Sequence, residues 1–218
     1  MIMKEIIVIG AGGHAAEIDE YILYNQNSGI SDYTVIGFLD DNPLSYKKYR
    51  FSAPFLGNIK THCVRKDVFY VIAIANIEFR KPIVNLFLKE QASFCTIVHH
   101  TSYVSPSAKI GIGVVLAPYA NVGPNAVIGD FTLVNARASI GHDSIIGLNN
   151  FVSPNVSFSG NTVVGDDNLF GINSATIPGI HIGSRNKVAA GMIVDKNIED
   201  DSVVFHRFKE KVIAIFKS

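Results

Sequence analysis

Apolar residues recur at every sixth position through the second half of the chain. From Val98 to Val194, sixteen of the seventeen positions at this spacing carry an apolar side chain, and Thr176 is the exception. The next residue is usually Gly, Ser or Ala, and a second short side chain is common three residues further on. A six-residue period fits neither an amphipathic helix nor an alternating strand. It is typical of a parallel β-helix, in which the chain turns a corner every six residues.

Three flat segments would make one coil of the predicted β-helix. The repeats then supply about five coils stacked at ~4.8 Å, which gives a prism roughly 25 Å long. Each inward residue lies above the one eighteen positions earlier, so that Ile128, Ile146 and Val164 form one column. A β-sandwich would not keep the six-residue register uninterrupted, and the sequence therefore predicts a β-helix over residues 96–218.

The first half of the chain has a different pattern, in which short apolar runs alternate with helix-like segments. Glycines interrupt it directly after the first apolar run, at residues 10–13. This alternation predicts a small α/β domain with a parallel, Rossmann-like sheet over residues 1–95. The predicted elements are strands at 6–9, 34–39 and 68–75, helices at about 15–24 and 76–90, and a last strand at 94–98 leading into the first coil.

Composition excludes several classes of protein. The 218 residues include 19 Lys and Arg against 19 Asp and Glu, so a nucleic-acid-binding protein would lack its usual basic excess. Cys63 and Cys95 match no metal-ligand spacing, which argues against a zinc site or a disulfide framework. No run approaches the ~18 apolar residues of a membrane span, and the N-terminal apolar run is too short for a signal peptide. We expect a cytoplasmic protein without a metal.

The glycine turn is the first candidate for chemistry. Gly10, Gly12 and Ala15 partly match a dinucleotide fingerprint, in which backbone N–H groups approach a phosphate at a helix N-terminus. Such a turn is as often structural as ligand-binding. Asp40 or Asp41, at the end of the next strand, stands where a ribose or base contact is expected. A domain of about 95 residues suits a mononucleotide or a nucleotide sugar better than NAD.

His142 is the second candidate. In the six-residue frame it lies two places after Ile140, on the outward side, so it is not a core histidine. An outward histidine is commonly an ordinary surface residue, but Asp143 adjoins this one and Asn135 lies seven residues earlier. An imidazole with an ordinary pKa near ~6.5 accepts a proton at neutral pH, and a carboxylate partner fixes its tautomer. The pair therefore suits a general base.

Both halves together resemble the PglD/NeuD family of bacterial sugar acyltransferases. The resemblance covers nearly the whole chain. Its most specific segments are residues 10–14, 38–41, 73–80, Asn135 with His142 and Asp143, and 171–174. It implies an N-terminal domain that binds a nucleotide-linked sugar, a left-handed β-helix that forms a homotrimer, and acetyl-CoA in the groove between neighbouring helices.

The same resemblance assigns residues to roles. It implies that His142 is the general base and that Asp143 orients it. The implied sugar-nucleotide ligands are Gly10, Gly12, Gly13, His14, Asp40, Asp41, Asn76 and Arg80. The implied acetyl-CoA ligands are Asn135, Gly160, Gly171, Ile172, Ala190, Gly191 and Arg207.

Three functions remain open at this point. The favoured one is an N-acetyltransferase acting on a UDP- or dTDP-linked 4-amino-4,6-dideoxysugar in surface glycan biosynthesis, because the nucleotide-binding half suits a nucleotide-linked amine. A sugar O-acetyltransferase of the sialic acid type needs the same base and the same thioester. A non-catalytic trimeric scaffold that binds a nucleotide needs neither the base nor the thioester.

The outward apolar side chains of the predicted prism favour a homotrimer. Packing three prisms together would bury five of them, namely Val115, Leu133, Ile145, Val163 and Leu169.

Overall fold

The computed structural model describes residues 3–206 of the chain. The first domain is an α/β layer with five parallel strands, three helices and a 3₁₀ turn at Ile59–Thr61. The strands are β1 (Lys4–Ile9), β2 (Tyr33–Leu39), β3 (Phe55–Gly57), β4 (Phe69–Ile72) and β5 (Ser93–Phe94), and the helices are α1 (Gly13–Asn27), α2 (Pro43–Tyr46) and α3 (Ile77–Lys89). The strand order is β3-β2-β1-β4-β5.

The central strand explains why this sheet forms. Residues 6–9 of β1 are fully buried, because α1 covers one face of the sheet and α3 covers the other. The predicted α/β domain is thus confirmed. The sequence pattern missed α2 and β3, which have four and three residues and lie at the sheet edge. The strand predicted at 94–98 is two separate strands, since β5 belongs to this sheet and the next strand belongs to the β-helix.

The second domain is a three-sided prism of eighteen two-residue strands, and we number its faces by the order in which the chain enters them. Face 1 holds β6 (Ile97–Val98), β9 (Val115–Leu116), β12 (Leu133–Val134), β15 (Phe151–Val152), β18 (Leu169–Phe170), β21 (Lys187–Val188) and β23 (Val203–Val204). Face 2 holds β7 (Tyr103–Val104), β10 (Asn121–Val122), β13 (Ser139–Ile140), β16 (Ser157–Phe158), β19 (Ala175–Thr176) and β22 (Ile193–Val194). Face 3 holds β8 (Lys109–Ile110), β11 (Val127–Ile128), β14 (Ile145–Ile146), β17 (Val163–Val164) and β20 (His181–Ile182).

The register follows the eighteen-residue coil that the sequence predicts. Ile128 pairs with Ile146 and Ile146 with Val164 in parallel strands, and all three are buried in the core of the prism. Thr176 also points inward, and its hydroxyl accepts the Ser159 N–H at 3.0 Å. The predicted fold class, an α/β domain followed by a left-handed parallel β-helix, is confirmed.

The corners of the prism are built from left-handed residues. At every sixth position from Gly113 to Gly191 the backbone has a positive φ between 52° and 75°. Asparagine, aspartate and glycine supply most of these positions, because they adopt this conformation at least cost. Where asparagine or aspartate occupies these positions, polar side chains stack along a corner at eighteen-residue intervals.

The first domain packs on the outward side of face 1. Val115 and Leu133 are each 2% exposed and contact the apolar side of α1. The expectation that neighbouring prisms bury these two residues is wrong, because the chain's own first domain covers them. On face 3, Ile145 remains 50% exposed, and Val163 is half-buried. Within residues 3–206, the helices are all too short or too polar to cross a bilayer.

Candidate active site

His142 and Asp143 lie together at the corner between faces 2 and 3. Asp143 occupies the left-handed position of this corner, with φ of 55°. Its Oδ2 lies 2.7 Å from Nδ1 of His142, whose side chain is 59% exposed. An ionised carboxylate can only accept hydrogen bonds, so Nδ1 carries a proton, and in the neutral ring the lone pair is on Nε2. The sequence predicted this pair, and the short aspartate side chain does reach the ring.

Two hydrogen bonds keep the Asp143 carboxyl ionised. The amide of Asn125, one coil below, and the His142 ring both donate to it, in that order of importance, and they hold its pKa below the usual range. Sequence reasoning missed Asn125. Its position eighteen residues before Asp143 was the available signal.

Gly160 keeps space free beside the imidazole. It lies one coil above His142 at the same corner, and a Cβ built on it would overlap the Nε2 atom. A glycine is therefore required for the ring to keep its position. The structure brings these two predicted residues together.

The glycine turn links β1 to α1 at the other side of the prism. Gly10 is buried with φ of +111°, and a Cβ there would lie 2.8 Å from the Ala73 carbonyl oxygen. Gly12 is the N-cap of α1, and within the described residues no side chain caps this helix. Its first amide groups, beginning at the exposed Gly13, therefore face outward as donors for an anion.

His14 lies where the turn meets the β-helix. Its Nδ1 is 3.1 Å from the Glu17 carboxylate, and its ring packs edge-on against Phe151 of face 1, with ring centroids 6.3 Å apart. The glycine turn is thus seated against face 1 of the prism.

Asp40 and Asp41 have different surroundings. Asp40 accepts the backbone N–H groups of Ala11 at 2.7 Å and Asn42 at 2.8 Å, so its carboxylate holds the glycine turn. Asp41 is exposed, with its Oδ2 at 3.5 Å from the Lys60 ammonium. Of the two expected ligand contacts, Asp41 has the freer carboxylate.

Asn76 is the N-cap of α3, and Arg80 lies in the first turn of this helix. The Asn76 side chain caps the helix by accepting the N–H groups of Glu78 at 2.9 Å and Phe79 at 3.2 Å. Arg80 is only 2% exposed, and its guanidinium donates to the Phe131 carbonyl in the β-helix. Burial lowers the pKa of Arg80 to about 10, so the group remains charged at neutral pH. Its observed contact joins the two domains.

A cavity of about 600 Å³ lies between the start of α3 and face 1. Phe151 and Leu169 form an apolar wall, and ion pairs cross between the domains at its edge, with Lys81 to Asp167 at 2.6 Å and Lys187 to Glu78 at 3.0 Å. Asn76 also lines this cavity. The space has the size and mixed polarity of a small-molecule site.

The first half of the chain is similar to a described protein family. Residues 5–87 match the family model described as the PglD N-terminal domain. The first domain is therefore similar to the PglD N-terminal domain over most of its length. A UDP-N-acetylbacillosamine N-acetyltransferase of Bacillus subtilis is 30% identical over 116 residues, which is 52% of this chain and 51% of that protein. The match thus spans about half the length of that curated relative.

Solved structures match both domains. The acetyltransferase domain of PglB from Neisseria gonorrhoeae, in complex with acetyl coenzyme A, superposes with a TM-score of 0.79 and 25% identity over 90% of this chain and 93% of that chain. PerB from Caulobacter crescentus, in complex with CoA and GDP-perosamine, has the same fold, with a TM-score of 0.78 and 24% identity over 91% and 92%. The resemblance to PglD/NeuD-type sugar acyltransferases is therefore confirmed.

The residues expected to contact acetyl-CoA divide between two corners. Gly160 lies beside His142, whereas the others lie across face 2, at the corner between faces 1 and 2. Those others are Asn135, Gly171, Ile172, Ala190 and Gly191. Ile172 is 45% exposed there, and Gly191 has a φ of +71° with open space beside it. Arg207 lies outside the described residues.

Within residues 3–206, no cluster of three or more His, Cys, Asp or Glu side chains could hold a metal ion. Cys95 is buried, which raises the pKa of its thiol to about 12, and Cys63 is exposed on the first domain. The corner between faces 2 and 3 presents an imidazole that is hydrogen-bonded to a carboxylate.

Proposed function

We propose that this protein transfers the acetyl group of acetyl-CoA to the amino nitrogen of a nucleotide-linked amino sugar. The acceptor we propose is a UDP- or dTDP-linked 4-amino-4,6-dideoxysugar destined for a surface glycan. The observation that carries the proposal is the His142–Asp143 pair, with 2.7 Å between Nδ1 and Oδ2, a ring that is 59% exposed, and Nε2 beside Gly160. The relatives' described activities and the PglD N-terminal domain agree with it.

In this reaction His142 acts as the general base. Its Nε2 takes a proton from the sugar amine while the nitrogen attacks the thioester carbonyl carbon. The new C–N bond forms, the C–S bond breaks, and the departing thiolate of CoA receives a proton. Asp143 keeps Nδ1 protonated and stabilises the imidazolium that forms. Direct transfer of this kind needs no nucleophilic serine or cysteine.

The glycine turn is the proposed site for the diphosphate of the sugar nucleotide. Within the described residues the N-terminus of α1 has no side-chain cap, and its first amide groups, beginning at the exposed Gly13, face outward. Negative charge is favoured at this end of a helix. The sugar would then extend from the turn toward a catalytic corner.

That corner belongs to a second copy of the chain in our proposal. The glycine turn is seated on face 1 through His14 and Phe151. His142 lies at the corner between faces 2 and 3, on the side of the prism away from face 1. One chain therefore keeps its turn and its base on opposite sides of the core. We propose a homotrimer in which the turn of one chain approaches His142 of the next.

The function is tested with purified protein, acetyl-CoA and a panel of UDP- and dTDP-linked amino sugars, analysed by mass spectrometry. We expect one acetyl group on the amino sugar and none on the matched sugar that carries only hydroxyls. His142→Asn and His142→Ala should lower kcat/KM by about 10²–10⁴, with the fold and CoA binding unchanged. Acetylation of the hydroxyl sugar would favour the O-acetyltransferase. Nucleotide binding with no acetyl transfer to any acceptor would favour the scaffold.

The shared site is tested by mass and by complementation. Light scattering should give three times 23.7 kDa, about 71 kDa. Co-expressed His142→Ala and Gly13→Asp chains, each inactive alone, should regain activity in mixed trimers, because some sites then combine an intact turn with an intact base. A monomeric mass, or mixed trimers that stay inactive, would contradict a site formed by two chains.

A further inference from the structure

The corner that carries His142 contains a hydrogen-bonded column which extends below the histidine. Asn125 and Asp143 occupy its left-handed positions in successive coils, with φ of 57° and 55°. The side-chain amide nitrogen of Asn125 lies 2.9 Å from Oδ1 of Asp143. The other oxygen of this carboxylate, Oδ2, accepts the ring N–H of His142 at 2.7 Å.

The donors and acceptors along this column have one consistent assignment. Asp143 accepts at both oxygens, so Asn125 must present its NH₂ group and His142 must present Nδ1–H. With both oxygens engaged, the carboxylate cannot rotate away from the ring without losing a hydrogen bond.

Asn125 is itself held from below. Its backbone N–H donates to the hydroxyl of Ser107 at 2.9 Å, and the Asp143 N–H donates to the Pro124 carbonyl at 2.8 Å. The coil beneath the histidine is thus tied to the coil that bears it, through both backbone and side chain. The hydrogen bond from Asn125 is also the largest influence that lowers the pKa of Asp143.

We propose that Asn125 is a positioning residue for the His142 base, and that it acts by fixing the Asp143 carboxylate against the imidazole. This inference rests on the proposed role of His142 in acetyl transfer. Asn125 touches no reacting atom, and its effect passes entirely through Asp143. The functional unit would then span two coils.

A second asparagine–aspartate pair provides a matched control. At the corner between faces 3 and 1, Asn149 has φ of 52°, and its amide donates to Asp167 one coil above at 2.8 Å. This pair has the same spacing and the same backbone conformation as Asn125 and Asp143, but the residue before its aspartate is Asp166 and not a histidine. Asn149 is 7% exposed whereas Asn125 is exposed, so a purely structural role of the amide would make Asn149→Gly at least as damaging as Asn125→Gly.

The test compares Asn125→Gly with Asn149→Gly in the full-length protein. Glycine accepts the positive φ at both positions and removes only the amide. We expect Asn125→Gly to lower kcat about tenfold, with little change in KM for acetyl-CoA, because one hydrogen bond to a charged group is lost. Asn149→Gly should keep kcat within about twofold of the wild type. Asn125→Asp, which keeps the side-chain shape but replaces the donor by an acceptor, should behave like Asn125→Gly.

Two further measurements separate positioning from general damage. In an Asp143→Ala background, Asn125→Gly should cause no additional loss of kcat, since the partner through which it acts is absent. The Nδ1–H signal of His142 in ¹⁵N NMR should be present in the wild type and in Asn149→Gly, and absent or broadened in Asn125→Gly.

The proposal is overturned if Asn125→Gly keeps wild-type kcat, if it lowers kcat equally in the Asp143→Ala background, or if Asn149→Gly loses as much activity. An inactive wild-type protein would instead overturn the proposed function. The Nδ1–H signal of His142 would then decide by itself whether Asn125 orients the ring.

Discussion

Replacement of Arg80 by methionine distinguishes a ligand contact from a contact between domains. Arg80 is 2% exposed, and its guanidinium donates to the Phe131 carbonyl across the domain boundary. Methionine keeps much of the apolar stem but removes the donor. A buried carbonyl left without a partner costs about 1–3 kcal/mol. For a protein of this size each kcal/mol lowers Tm by roughly 2–4 °C, so we expect a decrease of about 2–12 °C.

The assay is thermal unfolding followed by circular dichroism, together with steady-state kinetics for both substrates. Arg50→Met, the same substitution at an exposed position, is the control and should change Tm by less than about 2 °C. We expect KM for the sugar nucleotide to change little in Arg80→Met once the protein is assayed well below its Tm. An unchanged Tm combined with a tenfold rise in that KM would refute the reasoning. It would show that the guanidinium contacts the ligand, as the resemblance to relatives implies.

Two further substitutions address the two halves of the proposed site. Gly160→Ala places a methyl group against Nε2 of His142. The methyl group should displace the imidazole and lower kcat about a hundredfold, with Tm nearly unchanged. A wild-type kcat in this variant would show that the ring does not need the space beside Gly160. Asp40→Ala leaves the Ala11 N–H without its acceptor and should raise KM for the sugar nucleotide about tenfold, but not KM for acetyl-CoA. A larger effect from Asp41→Ala would show that the exposed carboxylate contacts the ligand instead.

The β-helix could be predicted from sequence because its repeat is local. Each coil repeats the same eighteen-residue path. The six-residue spacing of apolar residues therefore predicts which side chains point inward in every coil. Thr176 fits this frame although it is polar, since a neighbouring backbone N–H satisfies its hydroxyl. The eighteen-residue coil also places Asn125 beneath Asp143. The left-handed corner residues could have been found from the asparagines and aspartates that recur at six-residue spacing.

The contacts between domains could not be predicted in this way. The six-residue frame says that Val115 and Leu133 point outward, but it does not say what covers them. The docking of α1 on face 1 decides that, and it depends on side chains distant in sequence. Arg80 is a similar case, because the family resemblance implies a ligand contact, whereas the docked domains direct its guanidinium to Phe131.

The three faces of the prism differ in a way that agrees with the proposed catalytic role of the corner between faces 2 and 3. The first domain covers the lower coils of face 1, and the outward column of face 3 is apolar at Val127, Ile145 and Val163. The outward residues Ser139 and Ser157, in the middle coils of face 2, are small and polar. On the proposed trimer, face 3 is the apolar surface that a neighbouring prism can cover, while face 2 leaves room for a ligand. His142 lies on the border between them, so its ring can be close to the neighbouring chain without being buried by it.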